Sequence, residues 1–107
     1  MISVIIPVYN EEGVIGSTLR HLKSVANHHV VKEIIVVDGG SKDNTIKESE
    51  QEGALVIKST KKGRSAQMNQ GGRAAKEPIL YFLHADSIPR VTFAEDIIGA
   101  INNGFHM

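Results

Sequence analysis

The sequence predicts an α/β domain, a Rossmann-like parallel sheet with helices on both faces and strand order 3-2-1-4. Three observations carry this expectation. Short apolar runs rich in Val, Ile and Leu recur at residues 2–8, 33–38, 54–58 and 79–83. Stretches with helical spacing lie between and after them, and such alternation favours a parallel sheet with right-handed crossovers. Finally, three of the runs pass abruptly into polar functional groups: SVIIPVYNEE (3–12), IIVVDGGSKDNT (34–45) and ILYFLHADS (79–87). Ligands of open parallel sheets bind beyond the carboxyl ends of the strands, where the strand order reverses, so these three tips are expected to line one crevice.

The elements follow in order. Strand 2–8 is closed by Pro7, which cannot donate to a ladder. Helix one is expected over 11–24, where Val14, Ile15, Thr18, Leu19, Leu22 and Val25 fall near helical spacing. Asn10 would cap it, and Glu11 and Glu12 would suit its first turn through the macrodipole. Strand 33–38 ends at Asp38. Helix two is expected to begin after Ser41 or Asp43, both good caps, and to stop at Gly53. After strand 54–58, helix three covers 65–76 and carries Gly71 and Gly72, which weaken a helix but allow close approach to a strand or ligand. Beyond strand 79–83, a fourth helix starts near Pro89, presents Phe93, Ile97, Ile98 and Ile101 as one stripe, and ends at Asn103 and Gly104. No repeat, low-complexity tract or linker divides the chain, so residues 1–107 read as a single domain.

Composition removes several function classes. With 107 residues, 41% of them hydrophobic, the chain can bury one modest core. Twelve Lys and Arg balance twelve Asp and Glu, so no global field draws nucleic acid or an anionic membrane, and any anion site must be local. The absence of cysteine excludes disulfides, a thiolate nucleophile and a zinc–thiolate cluster, and is compatible with a reducing compartment. A membrane-spanning helix needs about 20 apolar residues, and the longest candidate, 79–83, is followed at once by His and Asp. No charged segment precedes a long apolar stretch at the N-terminus, so no signal peptide is expected. The expected location is the cytoplasm, free or peripheral at a membrane.

Asp38 at a strand tip offers ionised oxygens to a nucleobase N–H, while Gly39 and Gly40 let the backbone approach closely. The alternative is a strand-end Asp that starts a turn or caps a helix. Asp86 suits a hard cation such as Mg²⁺ or Mn²⁺, which prefers carboxylate oxygens and can draw its other ligands from phosphate and water. Lys58, Lys61, Lys62, Arg64, Arg73 and Lys76 make the region 58–76 locally basic just where a helix starts, which favours phosphate. A solvated basic loop is the plain alternative. Lys61-Lys62-Gly63 is not a P-loop, because the spaced preceding glycine is absent. His21, His28, His29 and His106 lack ligand spacing and read as structural.

Taken together, PVYNEE, VVDGGSKDNT, KKGRSAQMNQG and LHADS resemble the nucleotide-sugar-binding half of a GT-A glycosyltransferase of the family 2 type. The resemblance covers nearly the whole chain. It implies transfer of a hexose-type sugar, with inversion, from a nucleoside-diphosphate sugar, by default a UDP-sugar, to an unidentified acceptor. It implies that Asp38 reads the base with Gly39 beside it in the nucleotide site, that Pro7, Tyr9 and Glu11 surround base and ribose, and that Asp43 stands in the neighbouring turn. Gly63, Arg64 and Asn69 would lie near diphosphate and sugar, and Asp86 would hold the metal. For Glu11 the helix dipole, and for Asp43 helix capping, are alternative explanations. The family's usual Asp-x-Asp is altered here, since His84 occupies the first Asp position. A neutral imidazole can coordinate a metal or bond a ribose hydroxyl, and a packed strand-end His is the alternative.

Members of the family continue into further strands that form the acceptor side and supply the catalytic carboxylate, so the chain reads as a truncated enzyme lacking its acceptor half. Glu95 and Asp96, within the expected fourth helix, are not candidates for the base. A sheet edge exposed by truncation would favour self-association. Two rival readings stand beside the transferase. One is a non-catalytic nucleotide-binding module. The other is a nucleotidyltransferase, disfavoured because Tyr9-Asn10-Glu11-Glu12 occupies the place of that class's Gly-rich basic loop.

Overall fold

A computed structural model describes residues 1–26 and 29–87. The elements are β1 (Ile2–Val8), α1 (Val14–Val25), β2 (Val31–Asp38), α2 (Thr45–Gln51), β3 (Leu55–Lys58), α3 (Arg64–Ala74) and β4 (Ile79–Phe82). They form one four-stranded sheet in the order β3-β2-β1-β4, the order that the sequence predicts, and each pairing is parallel. The expected helix from Pro89 lies outside the described residues, as do His28, His106, Glu95 and Asp96.

Side chains alternate across β1. Ile2, Val4, Ile6 and Val8 join Ile15, Leu19 and Leu22 of α1 in one core, whereas Ile5 joins Ile35 and Val37 in a second core on the opposite face. Burial on both faces explains why these strands read as continuous apolar runs. The chain steps from β1 to β2 to β3 in one direction and then returns past β1 to β4. With a constant crossover handedness, that reversal puts α3 on the face opposite α1 and α2.

Gly71 is why α3 lies close. A Cβ there would overlap Ile5 Cγ2 and stand 3.0 Å from Val37 Cγ2, whereas one on Gly72 would meet Leu80 Cδ1 at an ordinary 3.5 Å. Of the two glycines, Gly71 makes the close approach expected from the sequence.

Two helix starts differ from expectation. Helix α1 begins at Val14, with Gly13 at φ 82° as its N-cap, so Asn10 is not the cap and Glu11 and Glu12 are not in its first turn. The cause lies in the β2–α2 loop and the start of α2, whose side chains Ser41, Asp43, Thr45 and Glu48 bind the backbone N–H groups of residues 10–13 and hold that segment out of the helix. Helix α2 begins at Thr45 with Asn44 as its N-cap, and Asp43 accepts the Thr45 N–H from one residue further out. Among the described residues, no helix is long and apolar enough to cross a membrane.

Candidate functional site

Parallel register brings the strand tips together: Val8 of β1 is opposite Asp38 of β2, which is opposite Lys58 of β3. The loops that leave β1 and β2 are laced to each other. Asn10 N–H donates to Ser41 Oγ at 2.8 Å, and Lys42 N–H returns a bond to Asn10 Oδ1 at 2.9 Å. Asn10 adopts φ 50°, a left-handed conformation that Asn tolerates better than most residues. Glu11 N–H donates to Thr45 Oγ1 at 2.8 Å, Glu12 N–H to Asp43 Oδ2 at 3.2 Å, and Asn44 N–H to Glu12 Oε1 at 2.8 Å. Glu48 of α2 closes the series, taking the Gly13 N–H on both carboxylate oxygens at 2.8 and 3.0 Å. Glu48 therefore supplies, from a neighbouring helix, the negative charge that the α1 N-terminus favours.

Asp38 divides its carboxylate. Oδ2 accepts the N–H groups of Gly40 and Ser41, each at 2.9 Å, and so builds the turn after β2. Oδ1 is buried and, among the described residues, has no hydrogen-bond partner; the residue is only 2% exposed. A buried acceptor left unpaired costs about 1–3 kcal/mol, so a ligand donor reaching it would recover that cost. The turn-starting role and the ligand-facing role, posed as alternatives by the sequence, fit different oxygens of the same side chain.

Beside this turn, at the β1/β4 boundary where the strand order reverses, lies a cleft of about 320 Å³ lined by Pro7, Val8, Tyr9, Glu11, Arg64, Gln67, His84, Ala85 and Asp86. Its far wall is the chain after β4. Leu83 N–H donates to Ile5 O at 2.9 Å, which extends the pairing by one residue, and Thr18 Oγ1 of α1 donates to Ala85 O. This anchoring leaves the His84 and Asp86 side chains exposed at the cleft. Arg64, the first residue of α3, reaches across to the His84 imidazole, with Nη2 contacting Nδ1 and lying 3.2 Å from Nε2. His84 is thus neither packed nor isolated. The contact unites the basic segment with the β4 tip.

Six of the residues singled out from the sequence, Pro7, Tyr9, Glu11, Arg64, His84 and Asp86, line this one cleft. Gly39 is tied to its edge, donating its N–H to Val8 O at 2.9 Å. Gly63 is the N-cap of α3 at φ 110°. Asp43 is engaged in the loop lacing, where hydrogen bonds hold its carboxyl below the usual 3.8, the Thr45 hydroxyl first among them. Asn69 lines a separate groove with Thr60, Lys61, Ala66, Gln70 and Arg73. His21 and His29 stand outside the cleft lining.

Gln67 escaped the sequence reading. Only 5% exposed, it donates from Nε2 to Val8 O and to Val37 O, each at 2.8 Å, and so clasps the tips of β1 and β2 from α3. A Cβ on Gly39 would lie 2.9 Å from Gln67 Oε1, so the close approach permitted by Gly39 is to this side chain. The available signal was helical phase: Gln67 and Gly71 are four residues apart and share the sheet-facing side.

The residues fit a divalent cation only in one manner. Among the described residues no group of three or more His, Cys, Asp or Glu stands together. Asp86 and Glu11 are the carboxylates in the cleft lining, a donor set suited to Mg²⁺ or Mn²⁺ that takes its remaining ligands from phosphate and water.

A parallel sheet whose acidic and basic side chains converge at the point of strand-order reversal defines a ligand-binding α/β domain. Residues 3–107 match the profile of glycosyl transferase family 2, and the chain belongs to that family. Glycosyltransferase AglE of Haloferax volcanii is 32% identical over 107 residues, an alignment covering 94% of this chain and 35% of that protein. A UDP-N-acetylglucosamine–dolichyl-phosphate N-acetylglucosaminyltransferase of Methanococcus voltae is 47% identical over 47 residues, 44% of this chain and 17% of that protein. The chain therefore spans about a third or less of these relatives' lengths. Glucosyl-3-phosphoglycerate synthase of Mycobacterium tuberculosis, solved with Mn²⁺, UDP-glucose and phosphoglyceric acid, superposes with a TM-score of 0.83 at 26% identity, covering 97% of this chain and 40% of that one. The same enzyme solved with Mg²⁺ and UDP gives 0.81 at 27% identity over 94% and 39%. The fold is that of the GT-A glycosyltransferases.

Proposed function

We propose that this chain forms the donor side of a transferase that takes a nucleoside-diphosphate sugar, with UDP as the carrier, and passes the sugar to an acceptor hydroxyl with inversion. The observation that carries this reading is Asp38 Oδ1, a buried acceptor without a donor beside the cleft. An imide N–H of uracil supplies the missing donor, and Tyr9, 52% exposed at the cleft, offers a ring on which a base stacks. UDP and UDP-glucose in the structural relatives support the carrier.

The diphosphate falls to Arg64, whose guanidinium can grip two phosphate oxygens once it releases His84. Asp86 is the carboxylate assigned to Mg²⁺ or Mn²⁺, which when bound supplies neutralising charge to the departing nucleoside diphosphate. As the acceptor oxygen bonds to the anomeric carbon, the carbon's bond to the diphosphate oxygen breaks. The hydroxyl proton passes to a general base. Pro7, Val8 and the laced loops hold the base end of the cleft in register.

Isothermal titration with UDP, GDP and dTDP, each with and without Mn²⁺, tests the assignment. Metal-assisted binding of UDP is expected, weakened about tenfold or more in Asp38→Asn and made insensitive to Mn²⁺ in Asp86→Ala. Asp38→Asn keeps an oxygen for the Gly40 and Ser41 turn, so misfolding does not obscure the result. Unchanged UDP affinity in that variant would overturn the base-reading role.

A further inference from the structure

Half of the chain's twelve Lys and Arg fall within residues 58–76, a stretch containing none of its twelve Asp and Glu. The fold divides this basic segment between two places. Arg64 goes to the cleft, while Lys61 and Arg73 go to the groove of about 280 Å³ that they share with Thr60, Ala66, Asn69 and Gln70. The two sites have no lining residue in common.

The groove is a built feature of α3. Ala66, Asn69, Gln70 and Arg73 follow the i, i+3, i+4, i+7 spacing of a single helix face, turned away from the sheet-facing Gln67 and Gly71. Gln70 fixes the opposite wall, accepting the Thr60 N–H on Oε1 at 2.9 Å and donating from Nε2 to Thr60 Oγ1 at 3.3 Å. Small Ala66 leaves room between the walls. Among the described residues, neither Lys61 nor Arg73 forms an ion pair, in contrast to Arg20 and Lys23, which both pair with Glu52. A helix polar on nearly every face, weakened by two glycines, gains little from core burial, so its outer face is free to serve a ligand.

We infer that this groove is a second anion site, for a phosphate monoester, separate from the donor cleft. Arg73 supplies the planar fork, Lys61 the ammonium, and Asn69 an amide donor. A phosphate group fits the volume, and among the described residues no carboxylate lines the groove, which suits an anion rather than a cation. The inference does not depend on the donor reading, since it uses different residues and a different face of α3.

Amide chemical shifts of the ¹⁵N-labelled chain, followed during titration with inorganic phosphate both without and with added UDP, test it. Saturable shifts at Thr60, Lys61, Asn69 and Arg73 are expected, with affinity weakened roughly tenfold in the Lys61→Gln/Arg73→Gln double variant while UDP binding is retained. Two results would overturn the inference: shifts confined to Arg64 and His84, or non-saturating shifts spread evenly over distant cations such as Lys32 and Lys47. Cosedimentation with phosphatidylcholine vesicles containing phosphatidate identifies the source. Binding lost in the double variant marks a membrane-borne phosphate, and phosphate titration without vesicle binding marks a soluble phosphate ester.

Discussion

Gln67 shows how one side chain can set the spacing of a site that it does not chemically dominate. Both hydrogens of its Nε2 are committed to backbone carbonyls at the tips of two adjacent strands. Gln67→Glu keeps the shape but turns both donors into a carboxylate facing carbonyl oxygens. A loss of about 2 kcal/mol or more is expected, measured by urea denaturation, because two hydrogen bonds vanish and a charge is buried without a partner. Stability equal to that of the parent would show that the clasp contributes nothing. Asp38 and Asp86 were visible in the sequence because each ends an apolar run. Gln67 was not, because a glutamine within a polar helix looks like a surface residue until the position of the sheet is known. Asn69 was grouped with Arg64 by the family resemblance, and five residues at about 100° each carry it roughly 140° around the helix from Arg64 to the lining of a different groove.

At the level of elements, the adjacent glycines of α3 provide an internal control. Replacing either by Ala improves helix propensity by about 1 kcal/mol. At Gly71 the new methyl collides with Ile5 and crowds Val37, an overpacking cost of about 1–3 kcal/mol. At Gly72 it meets only Leu80 at 3.5 Å. Gly71→Ala is therefore expected to lower the urea midpoint and Gly72→Ala to raise it; a shift in the same direction for both would contradict the close packing of α3. The central strands β1 and β2 were legible because burial on both faces writes an unbroken apolar run, and the half-buried edge strands β3 and β4 because each is a short apolar run. The start of α1 was not, because Glu48, which takes the Gly13 N–H, lies 35 residues away in sequence, and no local pattern at Asn10 to Glu12 announces it.

For the molecule as a whole, neutral net charge conceals a basic segment over 58–76, and a carboxylate elsewhere, Asp43, has its own structural duty. Asp43 has its carboxyl pKa lowered from 3.8, chiefly by the Thr45 hydroxyl. A depressed folded-state pKa means that the ionised form stabilises the fold above the unfolded value and that this contribution disappears as pH falls through the folded one. The sensitive window therefore lies below 3.8. Urea midpoints measured across acidic pH are expected to fall more steeply in the parent than in Asp43→Asn, the two converging at the lowest pH; parallel curves would remove Asp43 from the acid response. The sequence made a local concentration of basic residues legible, but not its division between two faces, which only the helix's orientation against the sheet decides. The lacing of the β1–α1 and β2–α2 loops has an entropic consequence. With residues 10–13 and 41–48 already bound to each other, the Tyr9–Glu11 end of the cleft is ordered before any ligand arrives. Under the proposed donor binding, the freedom lost would be concentrated at the Arg64–His84 side, with the nucleoside meeting a prepared surface and the phosphate end bearing the cost of adjustment.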